Sequence, residues 1–435
     1  MPLSLQKFYT MLNVNYIKEN FDSIIDLMKV RSIENLSSKL KEIIKLDDER
    51  KSIQQELDTN LASQNSNAKS IGILFKSGKG AEAEVLKQES SKLKEDSNVL
   101  KEKQNETKAL LTEKLLQIPN VPHPSVPAGK SDEDNEVMRT EGKMPKLYTG
   151  AKPHWELAKD YDLFDLELGV KLTGAGFPVY RGAGAKLQRS LINFFLNSAV
   201  EAGYEEIISP LMVNEASARG TGQLPDKEGQ MYEVPADGFY MIPTAEVPIT
   251  NIYRDVMMKE NEFPVKLAGH SFCFRREAGS YGKDVRGLNR LHQFEKVEIV
   301  QVAHPEKSYE ALEEMLAYVE TLVQKLGLPY RVLRLCGGDL TFTSALTYDI
   351  EVYSAAQERW LEVSSISNFE TYQANRLNLR YKAKDGKKAM AHTLNGSAIA
   401  LPRIMAALIE NYQEDGFIRV PEVLQGFMGM DKIVK

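Results

Sequence analysis

The apolar positions change rhythm near residue 120. Residues 34–116 contain no proline and are rich in Lys, Glu, Leu, Gln and Ser, a composition that favours helix. In the second half of this stretch Leu86, Leu93 and Leu100 recur every seven residues, and Leu111, Leu115 and Ile118 continue the stripe after a step of eleven. The first half carries Leu36, Leu40, Ile43, Ile53, Leu57 and Leu61 at steps of three, four and ten. Between them lies Ser77-Gly78-Lys79-Gly80, a turn signal. The pattern predicts a hairpin of two antiparallel helices sharing one narrow apolar seam. Each helix would be about 50–60 Å long at ~1.5 Å per residue. The alternative is two helices packed inside a globular bundle; the narrow seam and the heavy charge favour a projecting arm.

Prolines and charges in IPNVPHPSVPAGKSDEDNE end the helical pattern and predict a linker, assigned to residues 118–139. From residue 140 to 435 short β-type runs alternate with helical stretches at Leu187–Ala202 and Tyr309–Leu326. The runs are YEEIISPLMV, SFCFRRE, LHQFEKVEIVQV, YRVLRL, YDIEVYSA and RWLEVSSISNF. Most are too closely spaced for regular βαβ crossovers. The expected class is α+β, a mainly antiparallel sheet flanked by helices, preceded by the helical arm of residues 1–117. No Rossmann or Walker glycine pattern is present, so any use of ATP takes another route.

Composition narrows the picture. At 42 % apolar and 27 % charged residues, the 435-residue chain can bury a sizeable core in two or three domains. No apolar run approaches a membrane-spanning length, and the start carries no signal-peptide pattern, so a cytoplasmic setting is expected. Met11 opens a second start, which would make the first ten residues a dispensable extension. Cys273 and Cys336 have no CxxC partner or nearby histidine at ligand spacing, which speaks against zinc and against a disulfide framework. A net charge of −6 argues against non-specific nucleic-acid coating but leaves a local RNA-binding patch open. The hairpin offers one: no acidic residue lies between Asp58 and Glu82, while Lys69, Lys76 and Lys79 do.

The most informative stretch is HSFCFRREAGSYGKDVRGLNRLHQFEKVEIV, residues 270–300. It reads as strand, long loop, strand. The loop carries Gly279, Gly282, Gly287, Lys283, Arg286 and Arg290, suited to close approach and phosphate contact. Alternation puts Arg275 and Glu277 on one face of the first strand, and Phe294, Lys296, Glu298 and Val300 on one face of the second. A guanidinium, a ring and two carboxylates on one surface could hold phosphate, nucleobase and amine. The alternative is a solvated basic hairpin with ordinary salt bridges.

Phe274-Arg275-Arg276-Glu277 resembles motif 2 of the class II aminoacyl-tRNA synthetases, and RGLNRLHQFEKVE is similar to the seryl-tRNA synthetase family in particular. The linker and the hairpin resemble the same family's linker and tRNA-binding arm, so the resemblance spans nearly the whole chain. It implies that Arg275 holds the ATP α-phosphate, that Glu277 meets the adenine amino group, that Phe294 stacks on adenine, and that Arg276 and Leu291 lie at the nucleotide. It also implies that Glu298 takes the serine ammonium.

Three further motifs follow in family order. Thr244-Ala245-Glu246 resembles the serine-binding TxE loop; alone it would read as a surface turn. Glu362-Val363-Ser364-Ser365 matches an ATP-contacting EVSS element, in which Glu362 and Ser365 would hold Mg²⁺ between phosphates. Strict alternation pairs Glu362 with Ser364, so the use of Ser365 requires a bulge or bend. TLNGSAIALPRIMAALIENYQ resembles motif 3, with Pro402 at a helix start, Arg403 on the γ-phosphate and Ser397 on the serine hydroxyl. The chain departs from the family with SNF and QANR for SNC and QARR, and with Ala398 and Pro402 for glycine. Those departures put the roles of Phe369 and Asn375 in doubt. The helix at Leu187–Ala202 and EEIISPLMV, with Pro210, fit the family's dimer-forming motif 1.

The implied enzyme is a serine–tRNA ligase: ATP and L-serine give seryl-adenylate and pyrophosphate, and serine passes to the 3′ end of tRNA(Ser), releasing AMP. Charging of a selenocysteine tRNA is left open. The implied partners are ATP, serine, tRNA(Ser) and a second copy of the chain in a homodimer, with Mg²⁺ as cofactor, no zinc and no membrane. Two rivals differ in class. An adenylate-forming relative that loads a carrier protein would lack the arm, and a non-enzymatic coiled-coil scaffold would lose Arg275, Glu298 or Arg403.

Overall fold

In the computed structural model the proline-free stretch forms two long helices, α1 (Leu36–Lys76) and α2 (Gly80–Leu116). The described residues are 12–278 and 286–435. The expectations for residues 1–10, for Met11, and for Gly279, Gly282 and Lys283 therefore lie outside the described residues. By contact density the chain divides into two units, one of residues 1–26 with Ile33–Pro119, the other of Leu27–Ser32 with Asn120–Lys435.

In the first unit α1 and α2 pair along their length, spanning about 60 and 55 Å at ~1.5 Å per residue. The turn forms where the sequence predicts it. Gly78 adopts φ +75°, and Lys79 N–H donates to the carbonyl of Leu74, closing the last turn of α1. The seam differs from the expected stripe. Leu36, Leu40, Ile43, Ile53, Leu57, Leu111 and Leu115 are buried, but Leu61 is exposed and the central seam turns polar. Gln64 donates to Ser97 Oγ (2.8 Å), and Gln104 donates to Gln54 (2.5 Å). Asp47 is buried under Arg50, Lys51 and Lys18. Periodicity counted leucines and missed these polar side chains, which occupy the same helical face.

The second unit is built on an eight-stranded sheet. Its elements are β1 (Glu136–Glu141), α3 (Gly182–Glu201), β2 (Glu205–Glu206), α4 (Glu246–Asn251), β3 (Val265–Phe274), β4 (Gln293–Ala303), α5 (Ser308–Lys325), β5 (Tyr330–Arg334), β6 (Leu346–Ser354), β7 (Arg359–Asn368), α6 (Thr371–Leu377), β8 (His392–Ala400) and α7 (Leu401–Asn411). The strand order is β1-β5-β6-β7-β8-β4-β3-β2, antiparallel throughout except for the β2–β3 pair at the edge. α5 buries Leu312, Met315, Leu316, Val319, Leu322 and Val323, an i, i+3, i+4 stripe, against β7 and β8. α7 packs across β4, β6 and β7.

Three expectations change. The linker stretch 118–139 does not continue α2 and holds a single 3₁₀ turn at Asp132–Asp134, but it is bound to the second unit from Asn120 onward. Asn120 donates its side-chain amide to the carbonyls of Thr343 (3.0 Å) and Phe369 (2.9 Å), Val121 and Val126 are buried, and β1 begins at Glu136. YEEIISPLMV is broken into two short strands rather than one: β2, after which Ile207 N–H bonds Ala268 and Ile208 stands 91 % exposed, and the strand Met212–Asn214, which pairs with Phe239–Met241 outside the main sheet. Finally, β3 stops at Phe274, so Arg275 and Glu277 do not share a strand face.

Candidate active site

The central strand β4 is buried on both faces, and polarity separates them. Val297 and Ile299 enter the main core, while Phe294, Lys296, Glu298 and Val300 alternate onto the other face. Ala245, at the start of α4, and Ile249, within it, pack on Leu267 and Val300 and roof this face. Under that roof two carboxylates are withdrawn from water: Glu298 is 0 % exposed and Glu246, the first residue of α4, is 6 % exposed.

Each carboxylate has a partner. Gln373 on α6 donates to Glu246 Oε1 (2.6 Å) and is itself oriented by Thr393 Oγ (2.8 Å). Asn395 on β8 donates to Glu298 Oε1 (3.1 Å). The Lys296 ammonium sits 2.5 Å from Glu298 Oε2 as an ion pair lacking hydrogen-bond geometry. Burial, then the nearby Glu298 carboxylate, pushes Glu246 up to about 7. Burial also raises Glu298, opposed by Lys296 and Arg275. A further cation here would relieve both carboxylates. Thr244 is buried beside them and accepts from the Glu246 N–H (3.3 Å), while Ser397 on β8 lies opposite Glu298 in the strand register.

Arg275 follows β3. Its N–H bonds the carbonyl of His292 (2.9 Å), its Nε donates to Pro243 O (3.3 Å), and its guanidinium lies 5.2 Å from the centre of the Phe294 ring. Tertiary structure thus brings Arg275, Phe294 and Glu298 together. Glu277 is different: it adopts φ +50° and pairs with Arg290, and that pair links the two ends of the loop. Arg276 bonds through its backbone to Gln230 O (2.9 Å) and keeps its side chain exposed. Leu291 is 4 % exposed and belongs to the core.

The bulge required by Glu362 and Ser365 is present. Ser365 pairs with Asp349 and Ser364 with Ile350, but Glu362 pairs with Glu351, which leaves Val363 as the extra residue. Glu362 and Ser365 therefore share one face of β7, together with Asp349 and Glu351 from β6. Asp349 is buried, and its carboxyl is held well above the usual range by burial and then by Glu362. Its Oδ1 has no hydrogen-bond partner. Ser364 points the other way and donates to Ser397 O (2.6 Å). Arg403, in the first turn of α7, donates from Nη1 to Glu362 O (2.8 Å) and from Nε to Asn289 O (3.2 Å). Phe369 and Asn375, where the chain departs from the family pattern, are both buried.

Sequence reasoning gave no role to Lys296, Asp349, Gln373 or Asn395. Asp349 and Glu351 had left a signal, acidic residues two apart in an apolar strand. Gln373 and Asn395 had left none.

Residues 11–122 match the seryl-tRNA synthetase N-terminal domain, and residues 232–412 match the tRNA synthetase class II core domain (G, H, P, S and T). The serine–tRNA ligase of Salinibacter ruber is 51 % identical over 393 residues, covering 90 % of this chain and 92 % of that one. The chain belongs to the seryl-tRNA synthetase family. The serine–tRNA ligase of Chlorobaculum parvum is 45 % identical over 97 % of this chain and 100 % of its own. The seryl-tRNA synthetase of Pyrococcus horikoshii, solved in complex with ATP, superposes with a TM-score of 0.89 at 32 % identity, covering 97 % and 99 % of the two chains. As a seryl-tRNA synthetase family member, the chain is an ATP-dependent serine–tRNA ligase with the expected class II, mainly antiparallel core.

Proposed function

We propose that the pocket between β4 and α4 binds L-serine and that the surface running from Phe294 to Arg403 binds ATP, so that the two react to give seryl-adenylate and pyrophosphate. The observation that carries this reading is the pair of buried carboxylates, Glu246 and Glu298, facing a guanidinium and a ring. Glu246 and Glu298 receive the serine ammonium, and Thr244, Ala245 and Ser397 shape the space around the substrate, with Ser397 on its hydroxyl. Arg275 holds the α-phosphate, and through it the serine carboxylate, in line for attack. Phe294 stacks on adenine, with Arg276, Glu277 and Leu291 bordering the nucleotide, and Val363 and Ser364 set the bulge that presents Glu362 and Ser365. Arg403, beside a helix N-terminus, receives the outer phosphates.

These groups work by orientation and fixed charge rather than by a side-chain nucleophile. Glu362 and Ser365 fit Mg²⁺: both offer hard oxygens on one face, and the orphaned Oδ1 of buried Asp349 lies on the same face. Bound by these residues, Mg²⁺ would supply positive charge to the phosphates. Transfer then joins serine to the 3′ ribose of tRNA(Ser), held by the hairpin α1–α2, whose stretch around Lys69, Lys76 and Lys79 is locally basic. A selenocysteine tRNA is a second acceptor to test. The resemblance of α3 and the segment after it to the family's dimer-forming motif is what supports a homodimer, and two free thiols, Cys273 and Cys336, suit a cytoplasmic setting.

Pyrophosphate exchange with a panel of amino acids tests the reading. Serine alone should support exchange. Equal exchange with threonine, or none with serine, would overturn it.

A further inference from the structure

Beneath the site lies a hydrogen-bond ring that no proposed substrate contact uses. His154 and Glu410 are both 0 % exposed. Glu410 lies on α7 seven residues beyond Arg403, two turns along the same helix. The N–H of Leu288 donates to His154 Nε2 (2.8 Å). With Nε2 accepting, the ring proton sits on Nδ1 and is donated to Glu410 Oε1 (2.6 Å), so the tautomer is set by its partners. Glu410 also accepts from the His154 N–H (2.9 Å), from Ser354 Oγ and from Gln357 Nε2 (3.0 Å). Gln357 accepts from Asn289 Nδ2 (2.9 Å), and the Asn289 carbonyl accepts from Arg403 Nε. The ring thus runs from Glu410 to the returning end of the 275–292 loop by two routes, and from there to the Arg403 guanidinium. Gly287 adopts φ +62°, and a Cβ there would fall 2.0 Å from His154 Nε2, so the backbone at Gly287 lies directly against the imidazole.

We propose that His154 is a positioning residue for ATP activation: oriented by Glu410, it fixes residues 287–289, and through the Asn289 carbonyl it holds Arg403 in its phosphate-binding orientation. This rests on the reading of Arg403 as a phosphate ligand. The physical argument is directional. A guanidinium carries several donors, and it points correctly only if the carbonyls it binds, those of Asn289 and Glu362, are themselves fixed.

The test uses the two amides that each mimic half of the imidazole. In His154→Gln the side-chain oxygen reaches as far as Nε2 and can accept from Leu288. In His154→Asn the amide reaches only as far as Nδ1 and can serve only Glu410. Serine-dependent pyrophosphate exchange in the Gln variant should stay within about threefold of the parent, whereas the Asn variant should lose roughly 10²-fold in kcat through misplacement. KM for ATP should rise in the Asn variant while KM for serine stays within about twofold, because the serine pocket lies on other elements. Thermal unfolding of both variants separates this from instability. The proposal is overturned if Asn performs as well as Gln, if activity merely tracks unfolding temperature, or if both KM values rise together. Arg403→Ala is run alongside. Retained exchange there would remove Arg403 from phosphate binding and the proposal with it; loss there combined with a fully active Asn variant would remove His154 alone.

Discussion

The hairpin and the sheet domain solve the same problem, holding side chains at fixed positions, in opposite ways. Along α1 and α2 the middle of the contact is polar, with Gln64 on Ser97 and Gln54 on Gln104. Directional hydrogen bonds fix the register of two long helices where buried apolar area is small. In the sheet domain, aliphatic layers from β4, α5 and α7 enclose the frame, and the paired carboxylates of the site lie on the other face of β4. There Glu246 and Glu298 sit where water is excluded and each electrostatic contact is stronger. The difference teaches that the hairpin is suited to presenting a surface and the sheet to doing chemistry.

Replacing residues 45–108 by a short glycine-containing turn breaks that comparison most directly. Aminoacylation of tRNA should fall by orders of magnitude, about 10³-fold, mostly through tRNA affinity. Serine-dependent pyrophosphate exchange by the same folded preparation should stay within a few-fold. Surviving aminoacylation would mean that the hairpin does not bind tRNA; collapse of exchange would mean that the two units are not functionally separable.

Within the sheet domain, Arg275→Ala should lower exchange by roughly 10²–10³-fold, about 3–4 kcal/mol of lost transition-state stabilisation. Near-normal exchange would remove Arg275 from the site. A smaller and more selective effect is expected for Glu298→Gln, which removes a charge facing the serine ammonium but keeps the shape. Separate titrations should show serine weakened about tenfold or more and ATP nearly unchanged; equal losses for both would make Glu298 structural.

The smallest effect is a pH dependence. Because the folded-state value for Glu246 is raised to about 7, folding favours its protonated form. Its contribution to stability is therefore most favourable at acid pH, declines as pH rises from the ordinary carboxyl value towards 7, and is flat above that. Serine binding should follow the opposite course, since the ammonium needs the ionised carboxyl. Calorimetric titration of serine should give weaker binding at pH 6 than at pH 8, and Glu246→Gln should flatten that difference. A serine affinity independent of pH in the parent would exclude Glu246 as an ammonium ligand.

Much of this was legible in the sequence because the signals were local. Helix length, the turn at Gly78 and the alternation that puts Phe294, Lys296 and Glu298 on one face each depend on a few neighbouring residues. The bulge at Val363 was legible as a conflict, since Glu362 and Ser365 cannot share a face of an unbroken strand. The position of Glu277 was not: the strand ends at Phe274 because the chain turns away to reach Gln230 and Pro243, which lie more than thirty residues earlier in the chain. The seam was misjudged for a related reason, because a glutamine or serine facing another helix is buried only when a partner meets it.

By itself the sequence determined the division near residue 120, the antiparallel α+β class, the family and the order of the motifs, all carried by periodicity or by contiguous residues. Only the tertiary structure decided which polar groups were buried and by whom they were satisfied. Gln373, Asn395 and Lys296 hold the two carboxylates from three different elements, and His154 meets Glu410 from 256 positions away. Burial and hydrogen-bond partnership are properties of surfaces brought together by folding, and no local stretch of chain contains both sides of such a contact.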